Sequence, residues 1–156
     1  MDLNPDFFDM IAALQEEDAD FLVVGAFAMA AHGVPRATGD LDLWVRPHQQ
    51  NAERVMTALL RFGAPVASAN LTAEDLVNPA MVFQMGRPPR RIDVITGIDG
   101  VSFDEAWPNR LVLGVEGREV PFLGRGELLR NKQAAGREKD LVDLKALLGS
   151  TPPRAG

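Results

Sequence analysis

Two aspartates one residue apart in an otherwise apolar strand set the terms for this chain. Leu41 to Val45 alternates as an extended segment, with Asp40, Asp42 and Trp44 on one face and Leu41, Leu43 and Val45 on the other. Side chains two apart on a strand leave roughly 6 to 7 Å between Cα atoms. Two like charges at that range repel by about 2 to 3 kcal/mol at an effective dielectric near 20. Aspartate also suits strands poorly. A divalent cation shared by both carboxylates reverses the sign of the interaction, and hard oxygen donors favour magnesium or manganese over zinc. The competing reading is a polar edge strand whose aspartates face water.

The residues ahead of the pair sharpen the choice. Phe21 to Val24 is a short apolar run that breaks at Gly25 and continues through the alanine-rich segment Ala26 to His32. Strand, tight turn and buried helix follow in that order. The start of such a helix at Gly25 to Phe27 offers free backbone N–H groups to a phosphate, and neither Gly25 nor Ala26 blocks close approach. The plainer alternative is that Gly25 only turns the chain while Ala26, Ala28, Ala30 and Ala31 permit close packing. His32 falls where this helix ends and reads as a cap or dipole partner. Arg36 and Thr38 immediately precede the carboxylates, where an arginine suits phosphate and a hydroxyl can orient a carboxylate or water.

Around this core the chain predicts a scaffold. Asn4-Pro5 starts a helix with Phe7, Phe8, Ile11 and Leu14 at helical spacing, ending in the acidic run Glu16 to Asp20. Pro47 to Phe62 is a second helix, with Val55, Leu59 and Phe62 inward and His48 at its exposed start. Thr72 to Asp75 caps a short helical turn. Met81 to Met85 and Arg91 to Ile95 form a hairpin across Gly86 to Pro89. On the second strand Asp93 shares a face with Arg91 and Ile95, a lone acid among apolar neighbours. If that strand lies beside Asp40 and Asp42, three carboxylates gather in one cleft suited to a two-metal site; otherwise Asp93 is an exposed strand position. Ser102 to Trp107 is a short helix ended by Pro108, and Leu111 to Val115 and Arg118 to Phe122 flank Gly117 as a last hairpin. Trp44 and Trp107 are packing residues first and base-stacking candidates second.

Gly136 divides the final helical segment. Leu128, Lys132 and Ala135 share one stripe of the first helix, which turns Lys132 toward the cleft. In the second helix Leu141, Leu144 and Leu148 are expected to face the core, with Arg137, Asp140 and Asp143 along a polar stripe. An intrahelical Arg137–Asp140 ion pair is the bland account of that stripe.

At 156 residues with 46% hydrophobic content the chain can bury a core without disulfides, and it contains no cysteine. No apolar run approaches the roughly 18 residues of a membrane span, and no leader pattern opens the sequence; a cytoplasmic protein that engages no membrane is expected. The formal net charge of −6 argues against a broad electrostatic grip on nucleic acid, though not against a local one. One domain over residues 1–149 is expected, its helical part at 125–149, with a frayed tail at 150–156.

Val24-Gly25-Ala26, Asp40-Leu41-Asp42 and Asp93 within Arg91 to Ile95 together resemble the signature of the DNA polymerase β superfamily of nucleotidyltransferases. The chain looks most like the small bacterial branch of minimal, lincosamide-type and abortive-infection-toxin nucleotidyltransferases. Arg36-x-Thr38-x-Asp40-x-Asp42 matches that branch. So does the C-terminal run Lys132-x-x-x-x-Arg137-x-Lys139-Asp140-x-x-Asp143-Leu144, in which the lysine and the following aspartate belong to the active site. Ala26 departs from the usual glycine or serine and removes a hydroxyl contact to phosphate.

The resemblance implies an α/β (α+β) nucleotidyltransferase fold, a small mixed, twisted sheet closed by a C-terminal helical pair. It implies Mg²⁺- or Mn²⁺-dependent transfer of a nucleoside monophosphate from a nucleoside triphosphate such as ATP, releasing pyrophosphate. Asp40, Asp42 and Asp93 would be both catalytic and metal-binding; Gly25, Ala26, Arg36, Thr38, Lys132 and Asp140 would bind nucleotide. The acceptor stays open among an RNA 3′ end such as that of tRNA, a protein and a small molecule. Two alternatives stand beside this: a catalytically weak nucleotide-binding or toxin–antitoxin module of the same fold with a cognate partner, and an Asp-x-Asp glycosyltransferase.

Overall fold

A computed structural model describes residues 3–36 and 39–150. The elements run α1 (Pro5–Glu16), β1 (Phe21–Val24), α2 (Gly25–Ala31), β2 (Leu41–Val45), α3 (Gln49–Phe62), β3 (Val82–Met85), β4 (Ile92–Ile95), α4 (Phe103–Ala106), β5 (Leu111–Val115), β6 (Arg118–Phe122), α5 (Arg125–Ala135) and α6 (Glu138–Leu148). Short 3-10 turns occupy Asp75–Val77 and Trp107–Asn109. Among these residues no helix is long and apolar enough to cross a membrane.

The strands form one mixed, six-stranded sheet in the order β3-β4-β2-β1-β6-β5. β1 and β2 are antiparallel neighbours at its centre, β4 runs parallel to β2, and β6 runs parallel to β1. The β1–β6 seam is short: one register pair, Val23 with Phe122, and the Leu123 N–H donating to the Val23 carbonyl at 3.0 Å.

Strand alternation sends residues to two apolar layers. Phe21, Val23, Leu41, Leu43, Val45, Ile92 and Val94 join the layer packed by α1 and α3. Leu22, Val24 and Trp44 face the other layer, with Ala28 and Met29 of α2, Phe103 of α4, and Leu128 and Leu147 of α5 and α6. Asp42 and Asp93 point to this second side, between residues of opposite facing on their strands.

Local chemistry sets the helix ends as the sequence indicates. The Asn4 side chain accepts from the Phe7 N–H at 3.0 Å, with Pro5 opening α1. α3 stops at Gly63, whose left-handed φ of 90° a side chain would disfavour. Buried Asn51 pins the outer ends of the central strands by accepting from the Asp20 N–H at 2.7 Å and donating to the Arg46 carbonyl at 3.1 Å. Thr72 and Asp75 exchange hydrogen bonds at 2.9 and 3.3 Å.

The structure departs from expectation in three places. α3 begins at Gln49 rather than Pro47, and Pro108 lies inside a 3-10 turn instead of ending the helix before it. The third departure is larger. Leu141 and Leu148 of α6 are 51% and 63% exposed and Leu144 is half-buried, whereas Asp140 and Asp143 are buried with Leu147. The face expected to be polar is therefore the inward one, because cations from α5 and the α2–β2 connection meet it there.

Candidate active site

A cleft of about 380 Å³ opens where β1 gives way to α2, beside the start of β2 and under α5 and α6. Its walls differ in charge. One carries Asp40 and Asp42; the opposite one carries Lys132, Arg137, Asp140 and Asp143, with Arg36 reaching in from the α2–β2 connection. Gly25 and Ala26 form the floor between them.

The approach of Asp42 to Gly25 explains why a glycine stands there. Gly25 has φ +69°, and a Cβ built on it would lie 2.1 Å from the Asp42 Oδ2 and 3.0 Å from its Cγ. Any side chain would have to displace that carboxylate. The turn and the acidic strand are thus packed together, as the sequence spacing alone could only suggest.

β2 and β4 run parallel with Asp42 directly opposite Asp93, and the Asp42 carboxyl lies within hydrogen-bonding reach of Asp93. Asp93 is 7% exposed and does not line the cleft; it stands behind Asp42. Burial, then the Asp93 charge and hydrogen bond, push the Asp42 carboxyl up to about 6. The Arg91 guanidinium only partly opposes this. Its Nε and Nη2 donate to the two Asp93 oxygens at 3.0 and 3.2 Å, and Nη2 reaches the Asp40 Oδ2 at 2.8 Å.

On the other wall the Lys132 ammonium lies 3.0 Å from Asp143 and 3.6 Å from Asp140. Burial lowers its pKa, and the Asp140 charge acts against that shift. Arg137 holds Asp140 from the opposite side, Nε to Oδ2 at 2.6 Å, and its backbone N–H donates to the same oxygen at 3.3 Å. The Arg137 hydrogen bond is the main reason the Asp140 carboxyl sits below the usual carboxylate range. Arg36 pairs with Asp143.

Of the residues picked from the sequence, Gly25, Ala26, Arg36, Asp40, Asp42, Lys132 and Asp140 all line this cleft, Asp93 touches it through Asp42, and Thr38 lies outside the described residues. Two participants carried no role in the sequence reading. Arg91 was legible from its i, i+2 spacing to Asp93 on one strand face, and Asp143 from its i, i+3 spacing to Asp140. Trp44 is 1% exposed with its ring edge on Phe103, whose ring Trp107 stacks at 5.5 Å. His32 caps α2, and its buried ring reaches across to donate from Nε2 to the Leu123 carbonyl at 2.7 Å. Burial is the chief cause of its lowered pKa.

The donor set fits a hard divalent cation in kind: carboxylate oxygens only, with Asp42 pushed up by burial and then by the neighbouring Asp93 and Asp40 charges. As the side chains stand, no three His, Asp or Glu among the described residues gather closely enough to hold one.

No protein-family model matches the sequence, and no curated protein matches it. Solved structures do. A Thermotoga maritima protein with a provisional nucleotidyltransferase assignment aligns with TM-score 0.55 at 13% identity, covering 94% of this chain and 95% of that one. The lincosamide antibiotic adenylyltransferase LnuA, solved with lincomycin bound, aligns with TM-score 0.54 at 12% identity over 96% of this chain and 99% of its own. The chain has the nucleotidyltransferase fold.

Proposed function

We propose that this protein is a divalent-metal-dependent nucleotidyltransferase that moves a nucleoside monophosphate from a nucleoside triphosphate to a hydroxyl acceptor. The observation that carries the reading is the packing of Asp42 onto the side-chain-free Gly25, in register with Asp93 and across one cleft from Lys132. That arrangement sets hard anionic donors beside a turn that a phosphate can approach closely, and it faces them with a cation.

Asp40, Asp42 and Asp93 would hold Mg²⁺ or Mn²⁺, which when bound polarises the α-phosphate and lowers the pKa of an acceptor hydroxyl. The protein's own groups do the rest. Gly25 and Ala26 leave room for the triphosphate at the floor of the cleft. Lys132 and Arg36 balance its negative charge from the helical wall, with Asp140 and Asp143 fixing the ammonium's position. The acceptor oxygen bonds to the α-phosphorus, the bond from that phosphorus to the bridging oxygen breaks, and pyrophosphate leaves with the electron pair. The acceptor proton passes to Asp93, the carboxylate in register beside Asp42.

The fold likeness to LnuA favours a small-molecule hydroxyl as acceptor over bulk RNA, and the net charge of −6 points the same way. Nothing in the aligned structures favours the glycosyltransferase alternative. Incubation with each α-labelled nucleoside triphosphate, magnesium and fractionated metabolites, RNA or protein identifies the acceptor by where label accumulates. Asp42→Ala is expected to abolish transfer by at least a hundredfold; undiminished labelling by that variant removes the aspartates from the mechanism.

A further inference from the structure

The carboxylate cluster already contains a cation of its own. Arg91 sits two residues before Asp93, and its carbonyl accepts from the Leu41 N–H at 3.0 Å, which anchors its backbone against the strand that carries Asp40 and Asp42. From there its guanidinium spans two carboxylates, at 2.8 Å to Asp40 and at 3.0 and 3.2 Å to the two oxygens of Asp93. These are carboxylate oxygens of Asp40 and Asp93, the groups that would hold a metal. The side chain is 31% exposed, so its fork can swing outward into water while its backbone stays fixed.

We propose that Arg91 is a built-in competitor for the divalent cation: it holds Asp40 and Asp93 together in the metal-free protein and must leave them for metal to bind. The inference rests on the reading of Asp40, Asp42 and Asp93 as metal carboxylates and deepens it. One guanidinium bonded to two of three neighbouring carboxylates leaves the cluster under-neutralised, and a divalent ion supplies more charge to the same oxygens. Arg91 is favourable enough to keep the empty cluster from flying apart, and it subtracts its own hydrogen bonds from the affinity for metal. The competition is a property of this chain's strand spacing, because Arg-x-Asp places both side chains on one face.

The test is Mn²⁺ binding by electron paramagnetic resonance, with thermal unfolding in parallel, on the full-length wild type, Arg91→Gln, Arg91→Lys and Asp42→Asn. Arg91→Gln is expected to bind Mn²⁺ roughly tenfold more tightly than wild type, since no charged hydrogen bonds need to break first. Without metal it is expected to unfold at a lower temperature than wild type, and Mn²⁺ is expected to raise its midpoint by more than that of wild type. A merely structural arginine would lower the midpoint without tightening metal binding. If Arg91→Gln does not fold, Arg91→Lys carries the test, because an ammonium reaches one carboxylate at a time and so yields more readily. Affinity unchanged or weakened in whichever variant folds, with binding lost in Asp42→Asn, overturns the competition and leaves the metal reading intact. Absence of Mn²⁺ binding in wild type and in both Arg91 variants overturns both.

Discussion

At position 25 there is room for a hydrogen and nothing more. Gly25→Ala puts a methyl carbon 2.1 Å from the Asp42 Oδ2 at a backbone φ of +69°. We expect it to cost about 1 to 3 kcal/mol in urea unfolding and to disturb any ligand-dependent stabilisation. A variant as stable as wild type would mean that Asp42 does not lie against the turn. Asp42 itself predicts a pH dependence. Its folded pKa, about 6 against 3.8 for the free group, is raised, so the native state binds more protons than the unfolded chain between those values. Stability is therefore fullest below about pH 4 on this account and declines as pH rises to about 6, by up to roughly 3 kcal/mol. Asp42→Asn should flatten that segment of the curve in metal-free buffer, and the difference between the two proteins isolates the group. A difference that does not change between pH 4 and 6 would rule out the raised pKa.

Among the elements, α6 shows what helical periodicity can and cannot say. The spacing of Leu141, Leu144 and Leu148 and that of Arg137, Asp140 and Asp143 define two stripes equally well, and hydrophobicity favours the first as the buried one. Tertiary pairing decides otherwise. Lys132 on the preceding helix and Arg36 before β2 meet Asp140 and Asp143, and neither partner lies within α6 itself. Leu147→Ala is expected to cost about 2 to 5 kcal/mol, while Leu148→Ala should stay within about 0.5 kcal/mol of wild type. Equal losses would restore the leucine stripe to the core. Asp143→Ala leaves the Lys132 ammonium and the Arg36 guanidinium without a shared anion in a poorly hydrated place, and a loss of about 3 kcal/mol or more is expected in the same assay. By contrast, the strand pairs, α1 and α3 followed their local patterns closely, since period-two alternation, the Asn4-Pro5 cap and the Gly63 stop are settled within a few residues. Asp93 shows the intermediate case. Its strand was readable, but its partner was not, because only the β2–β4 register sets it opposite Asp42.

Taken as a whole, the molecule places its opposed charges on different parts of the sheet. β2 and β4 carry Asp42 and Asp93, with Asp40 just before β2, while β6 leads directly into α5 and Lys132. A ligand that spans the cleft touches both parts. Saturating Mg²⁺ with a nucleoside triphosphate at about a hundred times its dissociation constant should therefore stabilise the protein by roughly 2.7 kcal/mol. A thermal-shift titration checks this, and no shift with any of the four nucleotides would count against nucleotide binding.

Between those two parts, the backbone is joined at Val23 and Phe122 by a seam only a couple of hydrogen bonds long. The His32 ring bonded to the Leu123 carbonyl is a rivet across it. Hydrogen exchange should accordingly find the amides of β6 less protected than those shared by β1 and β2. That rivet ties the part of the molecule that carries Lys132 to the part that carries Asp42 through a junction narrower than either.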